Sequence, residues 1–122
     1  MAKTLYERLG GYAAITAVAS VLLPRLASDP LLGRFWAHRG ADEIARERQL
    51  LIAFPCHSAG GPVYYTGRDM KLSHEGMRIS RADWDAFMGH GRATLDKFGV
   101  PPIERTETIA FIESTRADIV EA

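Results

Sequence analysis

The chemistry open to this chain is set first by its four imidazoles and its one thiol: His38, His57, His74, His90 and Cys56. No two histidines stand three or four residues apart, so no helix can present a pair of them to one metal ion. With a single cysteine and no His-Glu-x-x-His sequence, a structural zinc site is not expected. Cys56 follows Phe54 and Pro55. With apolar neighbours and no base beside it, it reads as a small core side chain rather than a nucleophile. His74 differs in its company. Met70 and Lys71 precede it by four and three positions, so on a short helix all three share a side. An imidazole for the iron, apolar contact beside a flat ring and a cation at a carboxylate edge are what a haem requires. A surface histidine on a loop meets the same spacing, and spacing alone leaves both readings open.

The elements that must position these side chains are helical, with little strand signal. Thr4 and Glu7 have the spacing of a capping box, in which Thr4 caps a helix start and Glu7 reaches back; Gly10-Gly11 stops that helix early. Ile15, Val18, Leu22 and Leu26 then fall on one face. They predict a helix of about sixteen residues ending near Ala27. Ser28-Asp29-Pro30 restarts the chain, and Leu31, Leu32, Phe35 and Trp36 make a short apolar turn. After the polar stretch 37–42, a helix is predicted from about Asp42 to Ala59, with Ile44, Leu51 and Phe54 inward. Pro55 should kink it, and Gly60-Gly61-Pro62 should end it. A loop covers 63–67, and Asp69 to Gly76 can hold barely two turns. Ser80 and Asp83 repeat the capping spacing and open a long helix carrying Ala82, Phe87, Leu95 and Phe98, with Gly99 as its stop. Pro101-Pro102 precedes a last helix from about Ile103 to Val120, striped by Ile109, Ile112 and Ile119.

The length of 122 residues predicts one domain over residues 1–122,, enough for one core and a buried flat cofactor. Fifteen basic residues balance fifteen acidic ones, and no basic run occurs, which argues against nucleic acid or an anionic membrane as partner. The apolar runs Ala17–Val18–Ala19 and Val21–Leu22–Leu23 are far shorter than a membrane span. Met1 to Arg8 has no apolar signal region, and the lone Cys56 forms no internal disulfide. A cytoplasmic location is the expectation.

Across nearly its whole length the sequence resembles the truncated haemoglobins, most closely their first group. The matching stretches are Leu5-Tyr6-Glu7-Arg8-Leu9-Gly10-Gly11, Leu26-Ala27-Ser28-Asp29-Pro30, Phe35-Trp36, Gly60-Gly61-Pro62, and Tyr65-Thr66-Gly67-Arg68-Asp69-Met70 with His74. Gly99-Val100-Pro101 and Arg116-Ala117-Asp118-Ile119-Val120 complete them. The paired glycines followed by Met-x-x-x-His at this distance are specific in combination. The resemblance implies an all-α fold, a two-over-two helical sandwich around haem b. It places His74 as the proximal ligand of the iron, and O2, CO and NO as the gases bound.

The distal side departs from that family. First-group members usually carry a Tyr in the second helix and Gln in the distal helix, which hydrogen-bond to bound oxygen. Counting from the matched stretches, those positions fall on Leu22, Glu47 and Leu51, and neither count meets a Tyr or Gln. Gln49 stands about 200° around the helix from Leu51 and should point away. The pocket is then mostly apolar, with Glu47 turned to solvent or paired with Arg48, and tight hydrogen-bonded oxygen binding is not implied. His57 and His38 are alternative iron ligands, and His90 is a partly exposed helix residue. Phe35, Trp36, Arg48, Leu51, Phe54, Met70, Lys71, Trp84 and Met88 complete the expected cofactor surround. The aromatic and methionine residues among them serve equally as plain core on spacing alone. The family resemblance implies reversible gas binding, or alternatively nitric oxide dioxygenation or other haem redox chemistry, peroxidase-like included, with a reductase partner. A monomer or weak homodimer is expected.

Overall fold

Thr4 opens the first helix as its spacing predicts: its hydroxyl accepts from the Glu7 amide at 3.2 Å. Glu7 does not reach back to the backbone; the Thr4 hydroxyl donates to its carboxylate at 3.3 Å instead. The computed structural model describes residues 3–37, 39–62, 65, 67 and 70–121. In chain order it has α1 (Leu5–Leu9), α2 (Gly11–Ser28), a 3₁₀ turn (Gly33–Phe35), α3 (Ala41–Ser58), α4 (Met70–His74), α5 (Arg81–Lys97), α6 (Pro102–Glu113) and α7 (Arg116–Ile119). No strand occurs among the described residues. His38 lies outside them, so its expectation as an iron ligand has no structural counterpart here.

Gly10 ends α1 in the left-handed region at φ 108°, where an L side chain is strained, and its amide returns to the Glu7 carbonyl,. The chain turns at once into α2, whose first and second halves pack against different partners. Ile15 and Ala19 pack with Ile52 and Cys56 of α3. Leu22 and Leu26 pack instead with Leu32, against Phe35, Trp36, Ala86 and Phe87. Leu23 is buried too but belongs to neither cluster. By length and composition α2 could cross a membrane. A core helix passes the same test, and Ile15, Ala19, Leu22, Leu23 and Leu26 of α2 are buried.

Two prolines lie inside helices. Pro55 is accommodated within α3, which continues to Ser58. Pro24 lies in α2, where it removes the amide that would serve the Ser20 carbonyl. Gly61 is required by closeness: a Cβ there would stand 2.6 Å from the Tyr6 ring and 2.8 Å from the Cys56 carbonyl. This is how α1 beds onto the end of α3, with the Tyr6 amide donating to the Ala59 carbonyl at 3.0 Å. On its other side α1 holds α6, through Arg8 with Glu104 at 3.1 Å and Glu107 at 2.5 Å.

The single last helix expected to Val120 is broken in two. The Thr115 hydroxyl donates to the Ile112 carbonyl at 2.7 Å, and the Ser114 hydroxyl to that of Phe111. Such local bonds compete with the helix ladder, and α7 restarts at Arg116.

Candidate functional site

The helices enclose a cavity of about 650 Å³ with a mostly apolar wall. His74 is the one imidazole on that wall among the described residues. It ends the five-residue α4, where its Nδ1–H donates to the Met70 carbonyl at 2.8 Å. A carbonyl only accepts, so the neutral ring carries its lone pair on Nε2, the atom that can ligate a metal. A backbone acceptor on Nδ1 also fixes the ring plane, as it does for metal-bound histidines generally.

The turn after His74 is braced from far along the chain. Arg78 adopts φ 55°, a strained conformation for a long side chain. Its amide donates to Glu121 Oε1 at 2.8 Å, the Gly76 amide donates to Oε2 at 3.2 Å, and the Glu121 amide donates to the Ile79 carbonyl at 2.9 Å.

The cavity brings together Phe35, Trp36, Leu51, Phe54, Met70, His74 and Trp84 from the expected surround, with Leu22 and Glu47. Three expected cofactor residues are absent from its wall. Arg48 turns to α2, where it donates to Ser20 Oγ at 2.7 Å; one residue beyond Glu47 it lies about 100° around α3. Met88 is 3 % exposed and belongs to the core. Lys71 is exposed. Glu47 pairs neither with solvent alone nor with Arg48: its carboxylate meets Arg39. Gln49 points away, receiving nothing from the cavity and donating to the Tyr12 hydroxyl at 3.1 Å. His57 is exposed and borders a second cavity, beside Phe54 and Asp118, so it does not share the wall that carries His74. Cys56 is fully buried, and burial pushes its thiol pKa up, which suits a core residue,.

Several wall residues escaped the sequence reading. Leu23 lines the cavity beside Leu22, as does Leu26, so the α2 side offers three leucines where counting gives one. Arg39, Leu50, Met77, Phe87 and Phe111 also contribute. Phe87 follows Trp84 by three residues, with ring centroids 5.5 Å apart, a spacing that could have marked it. Phe111 stacks on Phe54 at 5.7 Å across the fold, and no local pattern announces that.

The corner bearing Phe35 and Trp36 is tied to α5 twice. His90 Nε2–H donates to Asp29 Oδ2 at 2.7 Å, so this histidine has a structural partner that spacing did not suggest. Its hydrogen bond, with those from the Leu32 and Leu31 amides, holds the Asp29 carboxyl below its ordinary range. The second tie joins Arg34 to Asp83 at 2.7 Å, with the guanidinium also lying 4.3 Å over the Phe35 ring. Asp83 is 2 % exposed. Arg34 chiefly, aided by Ser80, holds its carboxyl below the usual range. A depressed carboxyl adds stability above its unfolded pKa, near 4, and loses it as pH falls toward the folded value. Asp83→Ala should therefore cost about 2 kcal/mol at pH 7, from the lost ion pair and capping box. In urea titrations the gap to wild type should narrow below pH 4.

An apolar slot among helices with one oriented imidazole on its wall is the kind of site that can hold a haem,. The family model of bacterial-like globins matches residues 4–121. A group 1 truncated hemoglobin of Tetrahymena pyriformis is 28 % identical over 97 % of this chain and 95 % of its own length. GlbN of Nostoc sp. (strain MUN 8820), of the same group, is 38 % identical over 71 % of each chain. The crystal structure of the Tetrahymena protein in its Fe(III) form superposes with a TM-score of 0.89 at 28 % identity, over 98 % of this chain and 100 % of that one. The chain belongs to the bacterial-like globins and, within them, to the group 1 truncated haemoglobins, with their two-over-two fold. The cofactor this family implies is haem b, and the residues fit it. His74 offers an imidazole whose Nδ1 is held by the Met70 carbonyl, and aromatic and aliphatic side chains form the walls of the slot.

Proposed function

We propose that His74 holds haem b in the large cavity and that the protein takes up O2, CO and NO reversibly there. The observation that carries this is the His74 Nδ1–H bond to the Met70 carbonyl on the wall of an apolar cavity. Bound haem supplies an iron centre that coordinates diatomic gases. The chain's own residues do the rest. Met70 orients the ring through its carbonyl. Phe35, Phe54 and Trp84 supply flat apolar surface and keep water from the centre of the slot. Lys71, exposed on the helix that carries His74, offers a cation to the propionate edge. Leu22, Leu23 and Leu51 give gas ligands apolar contact without a hydrogen-bond donor.

Addition of haemin to the haem-free protein should produce a Soret band at one equivalent. Reduction under carbon monoxide should then give the spectrum of a histidine-ligated ferrous carbonyl. If haem produces no saturable Soret change, the protein is a haem-free helical module and the proposal fails.

A further inference from the structure

Besides His74, four side chains that carry charge at neutral pH stand on the wall of the large cavity among the described residues: Arg8, Arg39, Glu47 and Asp83. Arg8 is occupied by Glu104 and Glu107, and Asp83 by Arg34; these three partners lie off the wall. Arg39 and Glu47 alone pair with each other while both line the cavity. Arg39 Nε–H donates to the Phe35 carbonyl at 2.9 Å, which fixes the guanidinium against the corner. Its Nη1 meets Glu47 Oε1 on the middle of α3. The side chains are 33 % and 29 % exposed, so the pair stands where the cavity meets solvent.

A guanidinium at the edge of an apolar slot is a receptor for small anions, because its planar fork of donors is permanently charged. Here a carboxylate on the same wall already fills that receptor. An entering anion must displace Glu47 and then lie beside its charge, whereas an uncharged gas disturbs neither group. We infer that the Arg39–Glu47 pair is a charge-selectivity device that keeps small inorganic anions out of the cavity and leaves it to neutral ligands. Glu47 is the element that excludes anions, and Arg39 is the latent anion site it masks. The inference rests on the haem proposal, since the iron is what would otherwise retain an anion.

The test is a spectroscopic titration of the ferric haem protein with azide, set against carbon monoxide binding to the ferrous form. In Glu47→Gln the carboxylate charge is gone and Arg39 stands unmasked, so azide affinity relative to carbon monoxide should rise about tenfold. That gain should shrink at high salt, because the pair is partly exposed and screened. Arg39→Gln leaves Glu47 unpaired, and the same ratio should fall below wild type. A Glu47→Gln protein whose azide and carbon monoxide affinities move together, or whose ratio stays at the wild-type value, overturns the inference. A protein that gives no Soret band with haemin instead removes the haem proposal, and the inference with it.

Discussion

His74→Ala protein is expected to lose haem at least about a hundredfold faster than wild type. Removing a group that merely supports a metal ligand costs roughly 10–100-fold in metal affinity, and here the ligand itself goes. No substitute stands nearby: the cavity wall has no second imidazole among the described residues, and His57 borders a different cavity. The measurement is haem transfer to an excess of an unrelated apoglobin, followed in the Soret region. Imidazole added at millimolar concentration should slow the loss, because the truncated side chain leaves space for it next to the Met70 carbonyl. An unchanged ferrous carbonyl spectrum in the variant would show that another residue ligates the iron.

Leu23→Tyr should slow oxygen release about ten- to hundredfold relative to carbon monoxide release. Oxygen gains negative charge on binding ferrous haem and carbon monoxide gains little, so a hydroxyl donor favours the first. A hydrogen bond to a charged acceptor is worth about 1–3 kcal/mol, and about 1.4 kcal/mol makes a decade. The structure distinguishes Leu23 from its neighbour. Leu22 is committed to the cluster with Leu26 and Leu32, and a Tyr there displaces core. Leu23 belongs to neither packed cluster, and it lines the cavity that Leu51 and Glu47 of α3 also line. Flash photolysis and stopped-flow replacement give both rates. Equal slowing of the two gases would mean that the ring only obstructs the exit.

The features legible in the sequence were those written locally. Thr4, the Ser80–Asp83 capping box and Gly10 announced their helix ends within three residues, and each is found there. The position of His74 after Met70 and Lys71 suggested a short helix, and α4 is one. What stayed hidden depends on partners distant in the chain or on the direction of a side chain around a helix. Glu47 was given Arg48 as neighbour because the two are adjacent in sequence. On a helix adjacent residues diverge by about 100°, and the true partner, Arg39, comes from the preceding corner. The His90–Asp29 bond spans 61 positions, and nothing at either end signals the other. Leu22 and Leu23 could not be separated by counting, because both line the cavity and the difference lies in which of them packs with Leu26 and Leu32.

The brace that Glu121 provides also bears on the order in which the molecule assembles. Gly76, two residues past His74, is bonded to a carboxylate 45 positions later. The five-residue α4 is too short to persist alone in water. A contact of that separation carries a loop-closure cost that only nearly complete docking repays. The segment bearing His74 is therefore among the last to acquire its native form. Under the proposed ligation, His74 meets the iron only at the end of folding, so haem is gripped by a chain already largely collapsed, and does not serve as the template on which the helices gather.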